Sequence, residues 1–237
     1  MAYVQSKARA AFEESLKDIL ERLRLAKHSK IHVSLAEYVM ASSVFLGHAQ
    51  MENYISDVFA GFAQVSVTQA KNCNELPENL RAHLFFRRSN MKALVAKSLA
   101  GGGEKDFLKS LTGSLAGPAR ALLDTTQGVG VMVGGDILGD SKYPSQDNLR
   151  TVFNRIGIGD VFNSMSSVLR QDSKLLLSAI GSLRTQLAHS ATLPGTGYKD
   201  IKEVLTKTSR FVRGLDRVMY TAVIQNYDDA AWKNYLC

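Results

Sequence analysis

Long stretches of this chain contain no helix breaker. Four of its 237 residues are proline, and apolar residues recur through most of the sequence at the three- and four-residue spacing of amphipathic helices. Phe12, Leu16 and Leu23 begin this pattern, and charged residues fill the positions between the apolar ones. The sequence therefore predicts an all-α helical bundle, in a single domain that spans residues 1–237.

The apolar periodicity divides the chain into helices separated by short breaks. Ser34 with Glu37 forms a pattern typical of a capping box, which predicts the start of the second helix. Pro77 suits the first turn of the third helical stretch, because an N–H at that position has no partner in the helix. We expect helices over residues 1–30, 35–69, 77–100, 107–123 (with a break near 117–118), 146–156, 161–169, 173–189 and 198–226.

Residues 125–145 do not follow this pattern. Glycine recurs there and helical periodicity is absent, so we expect a mobile, Gly-rich loop inserted into the bundle, with a brief strand over 129–133 as an alternative. The stretch 128–135 lacks the spacing of a dinucleotide-binding loop and has no Gly-Lys-Ser/Thr ending. A flexible connection is therefore favoured over a nucleotide-binding loop.

The chain carries a formal net charge of +7, which points to an anionic partner such as nucleic acid or an acidic membrane surface. Its N-terminus has no apolar run of signal-peptide length, and no stretch approaches the ~18 apolar residues of a membrane span. The two cysteines, Cys73 and Cys237, do not form a disulfide framework. We therefore expect a cytoplasmic protein without a membrane-spanning helix.

The placement of histidine and cysteine does not predict a metal centre. His28 and His32 have the i, i+4 spacing of helical metal ligands, but no third ligand is evident beside them. His48 and His83 fall within predicted helices, where we expect packed or capping residues. No thiolate cluster or HExxH motif is present. We accordingly expect neither a metal ion nor another cofactor.

One short segment places an Arg and a His near the C-terminal end of an apolar helix. On an ideal helix His189 lies roughly 140° around the axis from Arg184. The two side chains converge only if the helix unwinds near His189 or if a second chain brings a second copy. The negative end of the helix dipole favours a protonated His189, which suits acid–base catalysis. From spacing alone, an ordinary helix-end His with an Arg one turn back is the alternative.

The run Arg184-Thr-Gln-Leu-Ala-His189-Ser resembles the signature of the HEPN superfamily, an Arg followed a few residues later by a His. More narrowly, it resembles the RiboL-PSP-HEPN nucleases, whose typical run is Arg-Asn-x-x-Ala-His-Gly near the end of a core helix. Segments 50–55 and 145–158 are similar to other stretches of that family, so the resemblance extends over residues 35–226. The chain departs from the family pattern at Thr185 and Ser190.

The resemblance implies a HEPN-type bundle that forms a homodimer and cleaves RNA without a metal ion, at a composite cleft between two subunits. His189 would move protons between the attacking 2′-hydroxyl and the leaving 5′-oxygen, and Arg184 would stabilise the charged phosphorane. Thr185, Glu52 and Asn53 would support these two residues, and helix packing is the alternative role for Glu52 and for Asn53. Many HEPN proteins are toxins or antiphage-defence effectors, so a cognate antitoxin or a defence-system protein is an expected partner beside RNA.

The last predicted helix carries a basic stripe. On an ideal helix its cationic residues fall within an arc of roughly 80°, opposite an apolar face, and Glu203 and Asp216 dilute the charge. We expect this stripe to contact RNA phosphates without sequence preference, and a solvated face of a basic protein is the alternative. The stripe consists of Lys199, Lys202, Arg210, Arg213 and Arg217.

Two other functions stay open at the level of sequence. The departures at Thr185 and Ser190 fit a non-catalytic HEPN module that binds RNA or a protein. In the second alternative the Arg/His pair is a coincidence, and the chain is a structural or immunity-type helical protein such as an antitoxin or a scaffold. A membrane-surface role for the last helix is disfavoured, because its apolar face has the pattern of a core.

Overall fold

Helices form most of the part of the chain that the structure describes, so the prediction of an all-α helical bundle is confirmed. This computed structural model describes residues 2–28, 32–89, 91–99, 103–116, 118–124, 126–141, 143–190 and 196–237. Side chains are described at these positions except at 92, 97–99, 114–116, 118, 189 and 190. Within these ranges there are eleven α-helices and no β-strand.

Short turns connect the helices, and a 3₁₀ turn follows α2 and another follows α5. The predicted helices over 161–169 and 198–226 have the bounds that the structure gives them. The helices are α1 (Lys7–His28), α2 (Val33–Gln69), α3 (Glu78–Arg88), α4 (Met91–Leu99), α5 (Glu104–Ala116), α6 (Gly134–Leu138), α7 (Gln146–Arg155), α8 (Val161–Leu169), α9 (Ser173–Ser190), α10 (Tyr198–Asn226) and α11 (Asp229–Tyr235).

The 37-residue helix α2 is the centre of the bundle. Helices α1, α6, α9, α10 and α11 all pack against it. Apolar side chains of α2 such as Met51, Phe59 and Phe62 are fully buried, and this burial is the main favourable free energy of helix packing. Buried side chains of the other helices join them in one hydrophobic cluster. The positions of all site residues are therefore set relative to α2.

The N-terminal helix is part of this core. Its sequence pattern does not say whether the first thirty residues pack with the rest, and the structure shows that α1 lies against both α2 and α10. Phe12, Leu16, Ile19 and Leu23 are all buried along one face of α1. The amphipathic stripe read from the sequence is thus the face that α1 buries.

A buried carboxylate joins the N-terminal segment to α2 and α10. Asp216 is completely buried. Its Oδ1 accepts hydrogen bonds from the hydroxyls of Ser6, at 2.5 Å, and Tyr54, at 3.1 Å. Its Oδ2 accepts from the backbone N–H of Ser6 and from the hydroxyl of Tyr3. We refer to Tyr3, Ser6, Tyr54 and Asp216 as the Asp216 cluster. The prediction that Asp216 dilutes the basic stripe is therefore wrong, because its side chain points into the core.

Every buried polar side-chain atom among the described residues has a hydrogen-bond partner, and the Asp216 cluster fits that rule. Burial, with the Asp216 carboxylate beside it, raises the pKa of Tyr54 well above its usual value. Burial also raises the pKa of Tyr3, whose hydroxyl accepts a hydrogen bond from Arg9 at 2.9 Å. Both phenols therefore stay protonated and donate to the carboxylate.

The glycine-rich segment is packed on the core. The prediction of a loop is wrong over Gly134–Leu138, which form α6, and no strand forms over 129–133. A Cβ at position 134 would lie 2.7 Å from the backbone N of Ala60, so glycine lets α6 approach α2 this closely. Val129, Met132, Ile137 and Leu138 are buried. Tertiary packing holds this segment in place, and such packing cannot be predicted from the periodicity of apolar residues. Residues 125 and 142 lie outside the described part of the chain.

Several helix boundaries also differ from the prediction. The stretch that begins at Pro77 ends at Arg88, and a separate helix, α4, begins at Met91. His32 caps α2, so the predicted Ser34–Glu37 capping box does not form. The predicted breaks at 101–102 and 117 lie outside the described residues. Helix α11, which buries Trp232, has no counterpart among the predicted helices.

Candidate functional site

Arg184 lies near the C-terminal end of α9, with its side chain half-buried. Its guanidinium carbon lies 5.2 Å from the centroid of the Tyr143 ring, over the ring face. A cation at this distance from an aromatic face is attracted by the ring quadrupole. The Arg of the HEPN-like run is thus held in one place by a residue from a different part of the chain.

Helix α2 supplies two more side chains to this arrangement. The His48 ring stacks on the Tyr143 ring, with centroids 5.3 Å apart and planes inclined by 25°. The Nδ1 atom of His48 lies 3.0 Å from Oε1 of Glu52, one helical turn further along α2. The His48 side chain is 3% exposed and that of Glu52 is 39% exposed. We refer to His48, Glu52, Tyr143 and Arg184 as the Arg184 cluster.

The electrostatics of the cluster favour a neutral His48. Burial is the largest cause and lowers the pKa of His48; the Glu52 carboxylate opposes this effect, and the positive charge of Arg184 adds to it. A neutral imidazole then donates its Nδ1 hydrogen to Glu52, which orients the ring against Tyr143. The positive charge of the cluster is accordingly concentrated on Arg184.

Local hydrogen bonds fix the position of Tyr143. The Ser145 hydroxyl accepts from the backbone N–H of Asn148 and so caps α7, as a serine N-cap does. The Asn148 side chain donates back to the Tyr143 carbonyl at 2.9 Å. The Gln146 side chain donates to the Ser178 hydroxyl at 3.4 Å and links this turn to α9. Tyr143 is therefore placed by the start of α7 and connected to the helix that carries Arg184.

The helix does not unwind at His189, because α9 continues to Ser190. On a continuous helix, position 189 lies roughly 140° around the axis from position 184. Of the two ways in which the sequence allows Arg184 and His189 to converge, only a second copy of the chain is compatible with this backbone. The side chain of His189 and residues 191–195 of the following loop lie outside the described residues.

The three residues expected to support the catalytic pair occupy different positions. Glu52 belongs to the Arg184 cluster, where it contacts His48. Asn53 and Thr185 are exposed, and among the described residues no hydrogen bond connects either side chain to Arg184. Glu52 is thus the one that the fold places to act on Arg184, through His48 and Tyr143.

The basic stripe lies on the solvent side of α10. All five of its side chains are exposed, and the opposite face of the helix, with Phe211, Leu215 and Met219, is buried. Glu203 forms an ion pair with Lys207 at 2.7 Å, so its charge is directed to a residue outside the stripe. Together with the burial of Asp216, this leaves the stripe more positive than the sequence indicates.

His48 and Tyr143 are the site residues that the sequence does not single out. The burial of His48 agrees with the expectation that it is packed, but its contact with Glu52 is not predicted from the sequence. The i, i+4 spacing of His48 and Glu52 on a helix is the available signal. Tyr143 gives no signal, because it lies in the glycine-rich stretch 125–145, whose pattern is typical of a loop.

Among the described residues, no group of three or more His, Cys, Asp or Glu side chains is arranged to hold a metal ion. In the same part of the chain, no helix is long and apolar enough to cross a membrane. Comparison of the chain with models of protein families, with curated proteins and with solved structures finds no match.

Proposed function

We propose that this chain is a metal-independent endoribonuclease that acts as a homodimer, with Arg184 and His189 as its catalytic residues. The observation that carries the proposal is the setting of Arg184. Its guanidinium is held over the Tyr143 ring at a half-exposed position, on the helix that also bears His189. A fixed, accessible guanidinium suits a phosphodiester because it donates two parallel hydrogen bonds to phosphate oxygens.

The proposed reaction is transesterification within the RNA strand. The 2′-oxygen attacks the adjacent phosphorus, and His189 as general base accepts the 2′-hydroxyl proton. The bond from phosphorus to the 5′-oxygen breaks, and His189, protonated by the first proton transfer, donates that proton to the leaving oxygen. Arg184 stabilises the extra negative charge of the phosphorane. The products are a 2′,3′-cyclic phosphate and a 5′-hydroxyl.

The rest of the Arg184 cluster positions the catalytic arginine. Tyr143 holds the guanidinium by its ring face, and His48 holds Tyr143 by stacking. Glu52 orients His48 through the Nδ1 hydrogen bond. Because His48 is almost fully buried, we assign it a positioning role rather than contact with RNA.

Substrate binding is assigned to the basic stripe of α10. Its five cationic side chains are exposed along one face of the helix and would contact phosphates of any sequence, with an affinity that falls as salt rises. RNA is the proposed substrate and the cytoplasm the proposed compartment. The HEPN resemblance extends the proposal to a toxin or antiphage-defence effector, regulated by a cognate antitoxin or a defence-system protein.

The experiment that tests this proposal is RNA cleavage in EDTA, with the product ends identified. We expect wild type to produce 2′,3′-cyclic phosphate ends, and Arg184→Ala and His189→Ala each to lose cleavage by about 100-fold or more. Arg87→Ala removes an exposed arginine of α3 and serves as the control. Full activity of either site variant in EDTA would contradict the proposal.

One observation favours a second candidate, a non-catalytic RNA- or protein-binding module. Thr185 replaces the amide or acid typical of the resembled family, and its side chain is exposed. A protein of that family without the supporting residue would still have the fold and the basic stripe with which to bind RNA. Wild type that binds RNA in a salt-dependent manner and leaves it uncut would establish this second function.

A further inference from the structure

A groove of about 580 Å³ lies between α1 and α10, which pack against each other. The two helices run in opposite directions. Lys27, near the end of α1, contacts Tyr198 at the start of α10, and Ser6, just before α1, bonds to Asp216 in the second half of α10. The volume of this α1–α10 groove is within the range of small-ligand sites.

The lining of the α1–α10 groove combines apolar and polar side chains. Leu16 and Leu20 of α1 supply the aliphatic part. The lining residues of α10 extend from Tyr198 to Ser209, eleven residues further along the helix, which is about 16 Å along its axis. An elongated groove of this kind suits a segment of an extended chain.

The two carboxylates of the groove are already paired with arginines. Arg9 donates to Oε1 of Glu13 through two nitrogens, at 2.6 and 2.8 Å. Arg24 donates to both oxygens of Glu21, at 2.7 and 2.9 Å. Each pair adds little net charge, so the electrostatic character of the groove is set by its lysines.

The lysines of the groove are not paired in this way. Lys17 lines the groove from α1 and Lys202 lines it from α10. Neither forms an ion pair with a carboxylate of the described residues. Lys202 also belongs to the basic stripe, so the groove and the stripe share a residue. Two such cations favour an anionic ligand that also contacts the stripe.

Tyr198 gives the groove an aromatic surface. The Lys27 ammonium lies over the Tyr198 ring, 4.7 Å from its centroid. Because Lys27 is exposed, this face of the ring lies on the solvent side of the helix pair. The contact of an exposed lysine with a ring is weaker than the stacking of a nucleobase on it. A base therefore takes the place of Lys27, and the released ammonium becomes a third cation near the groove.

We infer that the α1–α10 groove is a nucleotide-binding subsite for single-stranded RNA, in which one base stacks on Tyr198 and neighbouring phosphates contact Lys17 and Lys202. The ligand class follows from the lining, since a nucleotide carries a flat aromatic base and an anionic phosphate together. A strand whose phosphates follow the stripe reaches Lys202 and brings a base to the groove. The subsite shares no residue with the Arg184 cluster, and only the choice of RNA as the ligand rests on the proposed function.

Binding of a strand that cannot be cleaved tests the subsite. The probe is single-stranded 2′-O-methyl RNA, which has no 2′-hydroxyl to attack phosphorus, and the comparison is an abasic strand of equal length and charge. We expect wild type to bind the strand with bases about tenfold or more tightly than the abasic strand. Tyr198→Ala should lose most of this ratio, and Tyr198→Phe, which keeps the ring, should retain it. Tyr38→Ala is the matched control, because Tyr38 of α2 is 69% exposed and does not line this groove.

Salt dependence tests the lysine that the stripe does not include. We expect Lys17→Ala to make the slope of log affinity against log salt shallower by about 0.7 for each phosphate no longer neutralised. Lys17 lies on α1, so it affects RNA binding only if the strand enters the groove. Lys105→Ala removes an exposed lysine of α5 and is the control. Circular dichroism checks that each variant folds, since Tyr198 also packs against the core.

The outcomes separate the subsite from the proposed function. A wild-type ratio in Tyr198→Ala, or a wild-type slope in Lys17→Ala, overturns the inference, and the nuclease proposal then stands if wild type cleaves RNA. If both change as expected and wild type never cleaves RNA, the subsite stands and the nuclease proposal fails. Wild type that binds adenosine monophosphate but not the strand makes a free nucleotide the occupant and overturns the assignment to RNA. Binding of neither probe overturns the subsite altogether.

Discussion

Two polar clusters occupy the same central helix and differ in how they meet the solvent. Tyr54 of α2 joins Asp216 of α10, and His48 of α2 joins Tyr143 and Arg184 of α9. Both clusters bring together side chains that are far apart in sequence. Both place a charged group beside aromatic rings.

The Asp216 cluster is closed. Asp216 is completely buried, and three hydroxyls and a backbone N–H donate to its two oxygens. The Arg184 cluster is open. Arg184 is half-buried, and Glu52 and Tyr143 are about two-fifths exposed. The first cluster has its hydrogen bonds satisfied internally, and the second keeps guanidinium donors at the surface.

This difference separates stability from function. A buried carboxylate whose donors are all in place contributes to the fold and specifies how the N-terminal segment docks. A cation held by one ring face and directed at solvent contributes little to folding, and it is ready to bind an anion. We therefore expect substitutions in the two clusters to affect different measurements.

The largest expected effect on folding is at Asp216. Asp216→Ala leaves the hydroxyls of Tyr3, Ser6 and Tyr54 without their acceptor inside the core, and we expect the free energy of unfolding to fall by about 2–4 kcal/mol. Denaturant unfolding measures it, and Asp216→Asn, which retains one acceptor oxygen, should lose less. An Arg184→Ala protein destabilised as strongly as Asp216→Ala would remove the distinction between the clusters.

A smaller effect is expected at Tyr143, and it should appear in activity. Tyr143→Ala removes the ring beneath Arg184, and we expect cleavage to fall about fivefold, corresponding to the ~1 kcal/mol typical of a cation–π contact. Tyr143→Phe keeps the ring face and should retain most activity. RNA cleavage rates in EDTA give the comparison. Equal losses in both variants would show that the hydroxyl, and not the ring, matters.

A lower pH should reduce the free energy of unfolding through His48, and we expect this effect to be smaller still. The pKa of His48 is lowered by burial, so the folded chain binds a proton there less readily than the unfolded chain. His48 therefore makes its full contribution to the free energy of unfolding at pH values above its ordinary pKa of about 6.5. This contribution decreases as the pH falls below that value. His83, whose pKa is also lowered by burial, acts in the same direction.

Urea unfolding at pH 7 and pH 5 measures this dependence. The side chains that face His48 are Glu52, Tyr143 and Arg184. His48→Gln keeps a donor for Glu52 and cannot be protonated, so its stability should decline less than that of wild type between the two pH values. The same decline in both proteins would contradict a neutral His48.

The smallest expected change is in the salt dependence of RNA binding. Arg213→Ala removes one exposed cation of the α10 stripe. We expect the slope of log affinity against log salt to become shallower by about 0.7 for each phosphate of single-stranded RNA that the variant no longer neutralises. Filter binding at several salt concentrations gives the slope, with Arg87→Ala as the control. A slope that does not change in Arg213→Ala would remove this residue from the RNA surface.

Regular helices are predictable from the sequence, and contacts between distant segments are not. The bounds of α8 and α10 follow from local signals, such as the Asp160 N-cap and the long apolar face of α10. Helix α6 escapes prediction because Gly134 is explained only by the close approach of α6 to Ala60. Local periodicity does not contain that information.

The candidate site shows the same limit. Arg184 is found by its spacing to His189 and by resemblance, and Glu52 does lie in the cluster that holds Arg184. Tyr143 is not found, because it reaches Arg184 only through the turn before α7. A helical projection of α10 places Asp216 beside the basic stripe, although its side chain points into the core. Its hydrogen-bond partner Tyr3 lies more than 200 residues earlier in the chain, and a projection of one helix does not show such a contact. Such a projection does not reveal which neighbour covers a residue.

Mixing two inactive variants tests most directly whether Arg184 of one copy works with His189 of another. Arg184→Ala and His189→Ala chains are each inactive in the proposed dimer, and reassorted heterodimers contain one intact site. We expect the mixture to regain up to roughly a quarter of wild-type RNA cleavage in EDTA, since half of the dimers are mixed and one of their two sites is restored. A mixture that stays inactive, although both variants fold and exchange subunits, would contradict a composite site built around the Arg184 cluster.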